Sequence, residues 1–244
     1  MPGDAKGAAQ DERRPCFFAK PQAILFDLDD TVFDFTACSQ QALRRACQAQ
    51  GIPFDGQRYQ AYRMIDDALW DEQRAGRYTV QQVMQMRFVR WFEYLGLSAD
   101  ERAFSLVYER ELGRAHVLEP DAREVLIALA ARWPLYAASN GLADMQRQRL
   151  EEAGLHALFS SVFVSDEIGY EKPDTRFFQA CLARMNTKAS PSIWMVGDSA
   201  VADVAGAQRA GLSACLYARH PQKQGLIKPH HTIARLRELL SVFL

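Results

Sequence analysis

The second half of the chain alternates short apolar segments with helical segments, and this alternation constrains the fold more than any other feature. Helices are predicted at 120–132, 143–153, 175–185, 201–210 and 234–242, and strands at 135–139, 162–164, 193–196 and 214–217. Parallel strands need long crossover connections, which helices usually supply. The pattern therefore predicts an α/β fold with a doubly wound, Rossmann-like parallel sheet.

A fifth apolar segment lies near the start of the chain and ends in a cluster of acids. Residues 23–26 are apolar and suit a strand covered on both faces. They are followed by Asp27, Leu28, Asp29, Asp30 and Thr31. In an open α/β sheet, ligands bind beyond the carboxyl ends of the strands. The acidic cluster is thus predicted to lie at the ligand-binding edge.

Between this strand and the second half, residues 38–113 contain helix formers and almost no strand-like alternation. Breaks at 51–53, Gly76 and 96–98 divide the segment into about four helices, and Ser98 with Glu101 matches a capping box. We therefore expect an inserted helical domain. The predicted organisation is a mobile tail at 1–20, an α/β core at 21–35 and 115–244, and a helical domain at 36–114.

Polar residues also follow the later predicted strands. Ser139, Asn140 and Gly141 follow one strand, and Asp198 follows another, while Lys172 and Asp203 occur in GYEKPD and in the helix after Asp198. Taken singly, each of these residues could be a turn residue, a helix cap or a solvated charge. Together, in order at strand ends, they predict one catalytic site.

This set of side chains suits phosphoryl transfer through a carboxylate. Asp27 is best placed to attack phosphorus, and Asp29, two residues further on, could protonate the departing oxygen and then deprotonate water. Three carboxylates around a phosphate repel one another strongly, because unit charges about 4 Å apart interact by roughly 4 kcal/mol at an effective dielectric of 20. The site therefore requires positive charge, and Mg²⁺ prefers oxygen ligands of this kind. Lys172 supplies a second positive charge for the phosphoryl group.

Neutral donors complete the predicted phosphate site. The Ser139 hydroxyl and the amides of Asn140 and Gly141 lie near a predicted helix start, where anions commonly bind. Thr31 is predicted to orient the loop that carries Asp27.

These motifs resemble the haloacid dehalogenase superfamily, whose phosphatases carry DxDx[TV], a Ser or Thr, a Lys, and GD with a further Asp. The resemblance spans residues 23–217 and includes the helical insertion, which matches the family's cap. It implies that Asp27 is the nucleophile and that Asp29 is the acid and base. It also implies that Asp27, Asp29, through its backbone carbonyl, and Asp198 hold Mg²⁺. Asp203 would support the water shell of the metal.

Several stretches, FDLDDTVFDF, SNG, GYEKPDTRFF and GDSAVADVAGAQRAG, are most similar to the nucleotidase-like branch of the superfamily. The substrate implied is a nucleoside monophosphate. A phosphatase of phosphoglycolate, a sugar phosphate or flavin mononucleotide, a sugar phosphomutase, and a non-catalytic binding protein remain alternatives. The acid at Asp29 argues against a dehalogenase.

Aromatic and basic side chains in the insertion are candidates for substrate contacts, although aromatic residues at helical spacing more often form a core. Phe33 and Phe35 lie closer to the acidic cluster. The candidates in the insertion are Tyr62, Trp70, Tyr78, Phe88, Trp91, Tyr94, Arg74, Arg77, Arg87 and Arg90.

Other functional classes are disfavoured. The chain has neither GxxxxGK[ST] nor a well-placed GxGxxG, and position 12 of an EF-hand counted from Asp27 would be Cys38. Its formal net charge of -1 gives no strong positive field for nucleic acid. Five scattered cysteines, no signal peptide and no membrane span predict a reduced, cytoplasmic protein that acts on a small phosphorylated metabolite.

Overall fold

The computed structural model describes residues 20–219 and 226–244. The predicted mobile tail lies outside these residues except for Lys20. The described strands form one parallel sheet of six, in the order β3-β2-β1-β4-β5-β6. The strands are β1 Ala23–Phe26, β2 Leu135–Ser139, β3 Ser161–Val164, β4 Ile193–Gly197, β5 Ser213–Tyr217 and β6 His231–Ile233.

Ten α-helices are described around this sheet. Four form the insertion: α1 Phe35–Ala49, α2 Gly56–Arg74, α3 Val80–Leu95 and α4 Glu101–Arg114. The others are α5 Ala122–Ala130, α6 Ala143–Glu152, α7 Ser165–Ile168, α8 Thr175–Arg184, α9 Gly206–Arg209 and α10 Glu238–Phe243. A 3₁₀ turn spans His156–Leu158, and a π-helical segment spans Ala200–Ala205.

Both faces of the sheet are covered. The fully buried strand β1 sends Ile24 and Phe26 into one apolar cluster and Ala23 and Leu25 into another. This division follows from the two-residue alternation of side chains along a strand. The predicted doubly wound α/β core is confirmed.

The four inserted helices pack around an aromatic centre. Phe88 contacts the rings of Tyr62, Phe104 and Tyr108 at centroid distances of 5.7, 4.9 and 5.0 Å, and Trp91 also packs against this group. Fully buried aromatic pairs of this kind stabilise a domain beyond the area they bury. This aromatic centre is continuous with the apolar cluster on one face of the sheet, and we refer to α1–α4 as the cap.

Three local predictions differ from the structure in detail. The N-cap of α4 is Asp100, whose side chain accepts the Ala103 amide at 2.8 Å, so Ser98 and Glu101 form no capping box. The last helix begins at Glu238 rather than at 234, because residues 234–237 form bends and turns after β6. The helix after β4 starts as a π-helix, a geometry that occurs often at functional sites.

Among residues 20–219 and 226–244, no helix combines the length and the apolar character needed to cross a bilayer.

Candidate active site

The polar residues that follow β1, β2 and β4 meet at one edge of the sheet. Strand β1 lies between β2 and β4, so their carboxyl ends are neighbours. Asp27, Ser139, Asn140, Lys172 and Asp198 line a single cavity of about 150 Å³ between the core and the cap. The predicted convergence of these distant segments is therefore observed in the structure.

Lys172 forms the electrostatic centre of the site. Its ammonium donates to Asp27 Oδ1 at 2.8 Å and to Asp203 Oδ1 at 2.7 Å, and its side chain is 2% exposed. Asn140 fixes the backbone of Lys172 by two hydrogen bonds of 2.8 Å, one to its amide and one to its carbonyl. The Asn140 side chain thus positions the lysine, a role that the sequence did not suggest.

The pKa values of Asp27, Asp198 and Lys172 are all raised, by burial for the two acids and by the neighbouring carboxylates for the lysine. Burial raises the pKa of Asp27 to about 7 against the attraction of Lys172, and the charge of Asp203 adds to the rise. Burial, followed by the charges of Asp27 and Asp203, raises the pKa of Asp198 well above its usual value. For Lys172, burial disfavours the charged form, but Asp203 and Asp27 outweigh it and raise the pKa. One ammonium thus lies among three carboxylates, and a further cation would balance their charge.

Asp203 lies closer to the centre than its predicted supporting role requires. It is 1% exposed, and its second oxygen accepts the Ser199 amide at 3.0 Å. Its side chain packs directly over Gly197, where a Cβ would lie 2.2 Å from Asp203 Oδ2. Only glycine fits there, because real Cβ atoms do not approach so closely.

The carboxylates form a donor set that suits a metal ion. One oxygen each from Asp27, Asp198 and Asp203 lie within 4.8 Å of one another. An all-oxygen set rich in carboxylate is what Mg²⁺ takes in proteins. The side chain of Asp29 does not belong to this set.

Asp29 is instead held by two residues of α6. Arg149, which is fully buried, donates to Asp29 Oδ1, and Gln146 donates to Oδ2 at 2.7 Å. Arg149 also donates to the Ala115 carbonyl at 3.1 Å and lies over the Phe33 ring at 4.3 Å. Both chain segments that connect the core to the cap therefore contact Arg149. These two residues could not be predicted from the sequence, because nothing in the sequence around them differs from an ordinary helix.

The remaining predicted residues have other partners. Ser139 Oγ accepts from Gln146 at 3.0 Å, and the Gly141 amide donates to Ser165 Oγ at 3.2 Å. Thr31 is fully buried, and its hydroxyl makes no hydrogen bond to any residue within the described ranges. Any influence of Thr31 on the Asp27 loop thus acts through packing.

Only some of the candidate residues in the insertion line the cap side of the cavity. Trp70 and Arg74 line the cavity, together with Phe35, Arg63 and Asp67. Tyr62, Phe88 and Trp91 lie in the aromatic centre of the cap, as expected for aromatic residues at helical spacing. Phe33 is fully buried next to Arg149.

Comparison with known proteins agrees with this architecture. The family model for haloacid dehalogenase-like hydrolases matches residues 21–211. HAD-hydrolase YfnB of Bacillus subtilis is 31% identical, with 91% of this chain and 94% of that protein covered. Pyrimidine 5'-nucleotidase PynA of Streptococcus pneumoniae is 30% identical, with 89% and 93% covered. Pyrimidine 5'-nucleotidase YjjG of Escherichia coli is 29% identical, with 88% and 95% covered.

A solved structure extends the likeness to the whole fold. The crystal structure of YfnB, described as bound to magnesium and as revealing interdomain movement, superposes with a TM-score of 0.88 at 30% identity. It covers 92% of this chain and 99% of its own. The chain belongs to the haloacid dehalogenase-like hydrolase family. The resemblance inferred from the motifs is confirmed, and the predicted enzyme class agrees with the phosphatases and nucleotidases named among the relatives.

Proposed function

We propose that this enzyme is a Mg²⁺-dependent phosphatase that hydrolyses nucleoside monophosphates through an aspartyl-phosphate. The observation that carries the proposal is the bond of Lys172 to Asp27 within a carboxylate cluster that opens on the cavity. Asp27, Asp198 and Asp203 offer carboxylate oxygens for Mg²⁺. By resemblance to the family, the backbone carbonyl of Asp29 would be a further ligand. The bound ion would neutralise carboxylate and phosphate charge.

The proposed reaction has two displacements at phosphorus. Asp27 forms an oxygen–phosphorus bond while the ester bond breaks, and Asp29 gives a proton to the departing alcohol oxygen. A water molecule then attacks phosphorus, Asp29 takes its proton, and phosphate leaves Asp27. Both Asp29 oxygens accept hydrogen bonds, from Arg149 and Gln146, and these bonds fix the position of the carboxyl group. Lys172 orients Asp27 and offsets the charge of the phosphoryl group.

The cap side of the site supports a nucleotide substrate. Phe35 and Trp70 present aromatic rings for a base, while Arg63 and Arg74 add positive charge. Arg63 pairs with Asp67 at 2.7 Å and lies over the Phe35 ring at 5.2 Å, so these groups are already organised. Two relatives named as pyrimidine 5'-nucleotidases match almost the full chain.

A substrate panel tests this proposal. We expect nucleoside monophosphates to give kcat/KM at least about tenfold above phosphoglycolate, sugar phosphates and flavin mononucleotide, which corresponds to about 1.4 kcal/mol of preferential binding of the transition state. Preference for another phosphomonoester would overturn the nucleotide assignment and leave the phosphatase standing. Conversion of a sugar phosphate to its isomer without release of phosphate would identify a phosphomutase.

The metal requirement is tested by chelation. EDTA should abolish phosphate release, and added Mg²⁺ should restore it, because the carboxylate cluster otherwise repels the substrate. Turnover that persists after exhaustive chelation would contradict the magnesium assignment.

A further inference from the structure

The residue that precedes Lys172 connects the core to the cap. Glu171 Oε1 accepts the backbone amide of Val80 at 2.7 Å, and Oε2 accepts Gln73 Nε2 at 2.8 Å. Gln73 is in the last turn of α2 and is 4% exposed, whereas Val80 is the first residue of α3. One carboxylate from the core thus binds two cap helices at the turn that joins them.

The contact at Val80 is well matched in charge. The first amides of a helix have no acceptor within the helix, and the helix dipole makes this end favourable for a carboxylate. The Thr79 side chain accepts the Gln82 amide, so Glu171 serves a different amide of the same helix start. Hydrogen bonds with one charged partner are roughly twice as strong as neutral ones.

The same contact reaches the backbone of the catalytic lysine. Gln73 Nε2 lies 3.5 Å from the Lys172 carbonyl, which also accepts from Asn140 Nδ2 at 2.8 Å. The end of α2, the Lys172 loop and the loop after β2 therefore share one hydrogen-bond network.

The cavity is small for a ligand site. Its volume of about 150 Å³ is less than the roughly 300 to 1,000 Å³ of typical ligand pockets, so movement of the cap would enlarge the space for a substrate beyond the phosphoryl group. The contacts of Glu171 with Gln73 and Val80 bridge the two parts that such a movement would separate.

We propose that Glu171 is a positioning residue whose contacts with Gln73 and Val80 form a latch. The latch fastens the closed cap to the Lys172 loop, so that closure over the substrate and placement of the lysine occur together. The latch goes beyond the proposed function, because it applies to whichever phosphoester binds in the cavity.

Amide exchange and kinetics together test the latch. NMR should show that the Val80 amide of the substrate-free protein is protected, although it has no helical acceptor. In Gln73→Ala, which leaves Glu171 in place, we expect exchange of the Val80 amide to be about tenfold faster, because the cap opens more often.

Glu171→Ala should lower kcat/KM for p-nitrophenyl phosphate about tenfold. Glu171→Gln should lose less activity, since its side-chain carbonyl can still accept from the Val80 amide. The matched control is Glu167→Gln, which removes a carboxylate of the same segment that pairs with Arg147 in the core; it should change neither readout.

A double variant separates a latch from a general loss of structure. If Gln73 and Glu171 act through one contact, the Gln73→Ala/Glu171→Ala protein should lose no more activity than Glu171→Ala alone. Additive losses, an unprotected Val80 amide in the parent, or equal losses in Glu167→Gln would overturn the proposal. Amide exchange is measured without substrate, so a protein that failed to hydrolyse nucleotides could still show the latch. Equally, a protein that hydrolyses nucleotides could lack it.

Discussion

The core and the cap both bury charged groups, but Asp27 and Lys172 of the core line the cavity whereas Asp66 and Arg87 of the cap do not. In the core, Asp27 and Asp203 share the ammonium of Lys172 at the edge of the substrate cavity. In the cap, Asp66 and Arg87 are equally buried, but neither lines this cavity. Burial of an ionisable group therefore does not mark a catalytic residue. The proposed catalytic assignment rests instead on convergence at a cavity from several strand ends.

The cap charges have a packing explanation. The guanidinium of Arg87 lies 5.0 Å from the centroid of Phe88 and 4.7 Å from that of Tyr108, and it pairs with Glu109 at 3.3 Å. Cation–π contacts of this kind are stronger where water is excluded. Arg87 thus joins the aromatic centre of the cap, and its substitution should affect folding rather than chemistry.

Removal of the nucleophile gives the largest expected effect. Asp27→Asn should lower the turnover of p-nitrophenyl phosphate by at least about a thousandfold, because an amide cannot form the aspartyl-phosphate. Circular dichroism should show a folded protein. Normal turnover in this variant would contradict the role of Asp27 as nucleophile. It would also contradict the contrast between core and cap.

Loss of the acid and base should depend on the substrate. We expect Asp29→Asn to slow hydrolysis of alkyl phosphates by about 10² to 10⁴, because their alcohol needs a proton as it leaves. The loss should be much smaller in the displacement step for p-nitrophenyl phosphate, whose phenolate leaves without one. Burst and steady-state kinetics would measure the two steps separately. Equal losses of this step for both substrates would argue against Asp29 as the acid.

A matched pair of variants compares the two regions directly. Lys172→Met and Arg87→Met each remove a buried cation, and either should destabilise the protein by about 3 kcal/mol in chemical denaturation, because buried carboxylates lose a partner. Lys172→Met should also lower kcat by about a hundredfold or more. Arg87→Met should leave kcat within about twofold at temperatures where it is folded. A large drop in kcat for folded Arg87→Met would contradict the distinction between the buried charges of the core and those of the cap.

The smallest effect concerns Asp66, where burial raises the pKa to about 6 against attraction from Arg87 and Arg63. Its contribution to stability is present below about pH 4 and is lost as the pH rises through 6, because the folded state favours the protonated form. Asp66→Asn mimics that form. The parent should therefore lose about 2 to 3 kcal/mol more unfolding free energy than the variant between pH 4 and 7. Urea unfolding that gives the same change in unfolding free energy between pH 4 and 7 for the parent and for Asp66→Asn would contradict this.

The fold and the central acids were largely predictable from the sequence. Strands β1, β2 and β4 are largely apolar runs followed by polar residues, so local patterning placed Asp27 and Asp198 at strand ends, whereas Lys172 lies in the loop between α7 and α8. The helical insertion could be predicted because its glycine breaks coincide with the ends of the helices. The short elements α7 and β6 were missed, since three or four residues show no periodicity.

Residue type and order along the chain establish which groups can reach the carboxyl edge of a parallel sheet, and so which chemistry is available. The pairing of those groups depends on the folded arrangement. Asp29 is held by Arg149 and Gln146, and Glu171 binds the cap, through contacts between residues about 90 to 120 positions apart. Such contacts depend on how helices pack on the sheet and on the cap, and packing is a property of the assembled surfaces rather than of any local pattern.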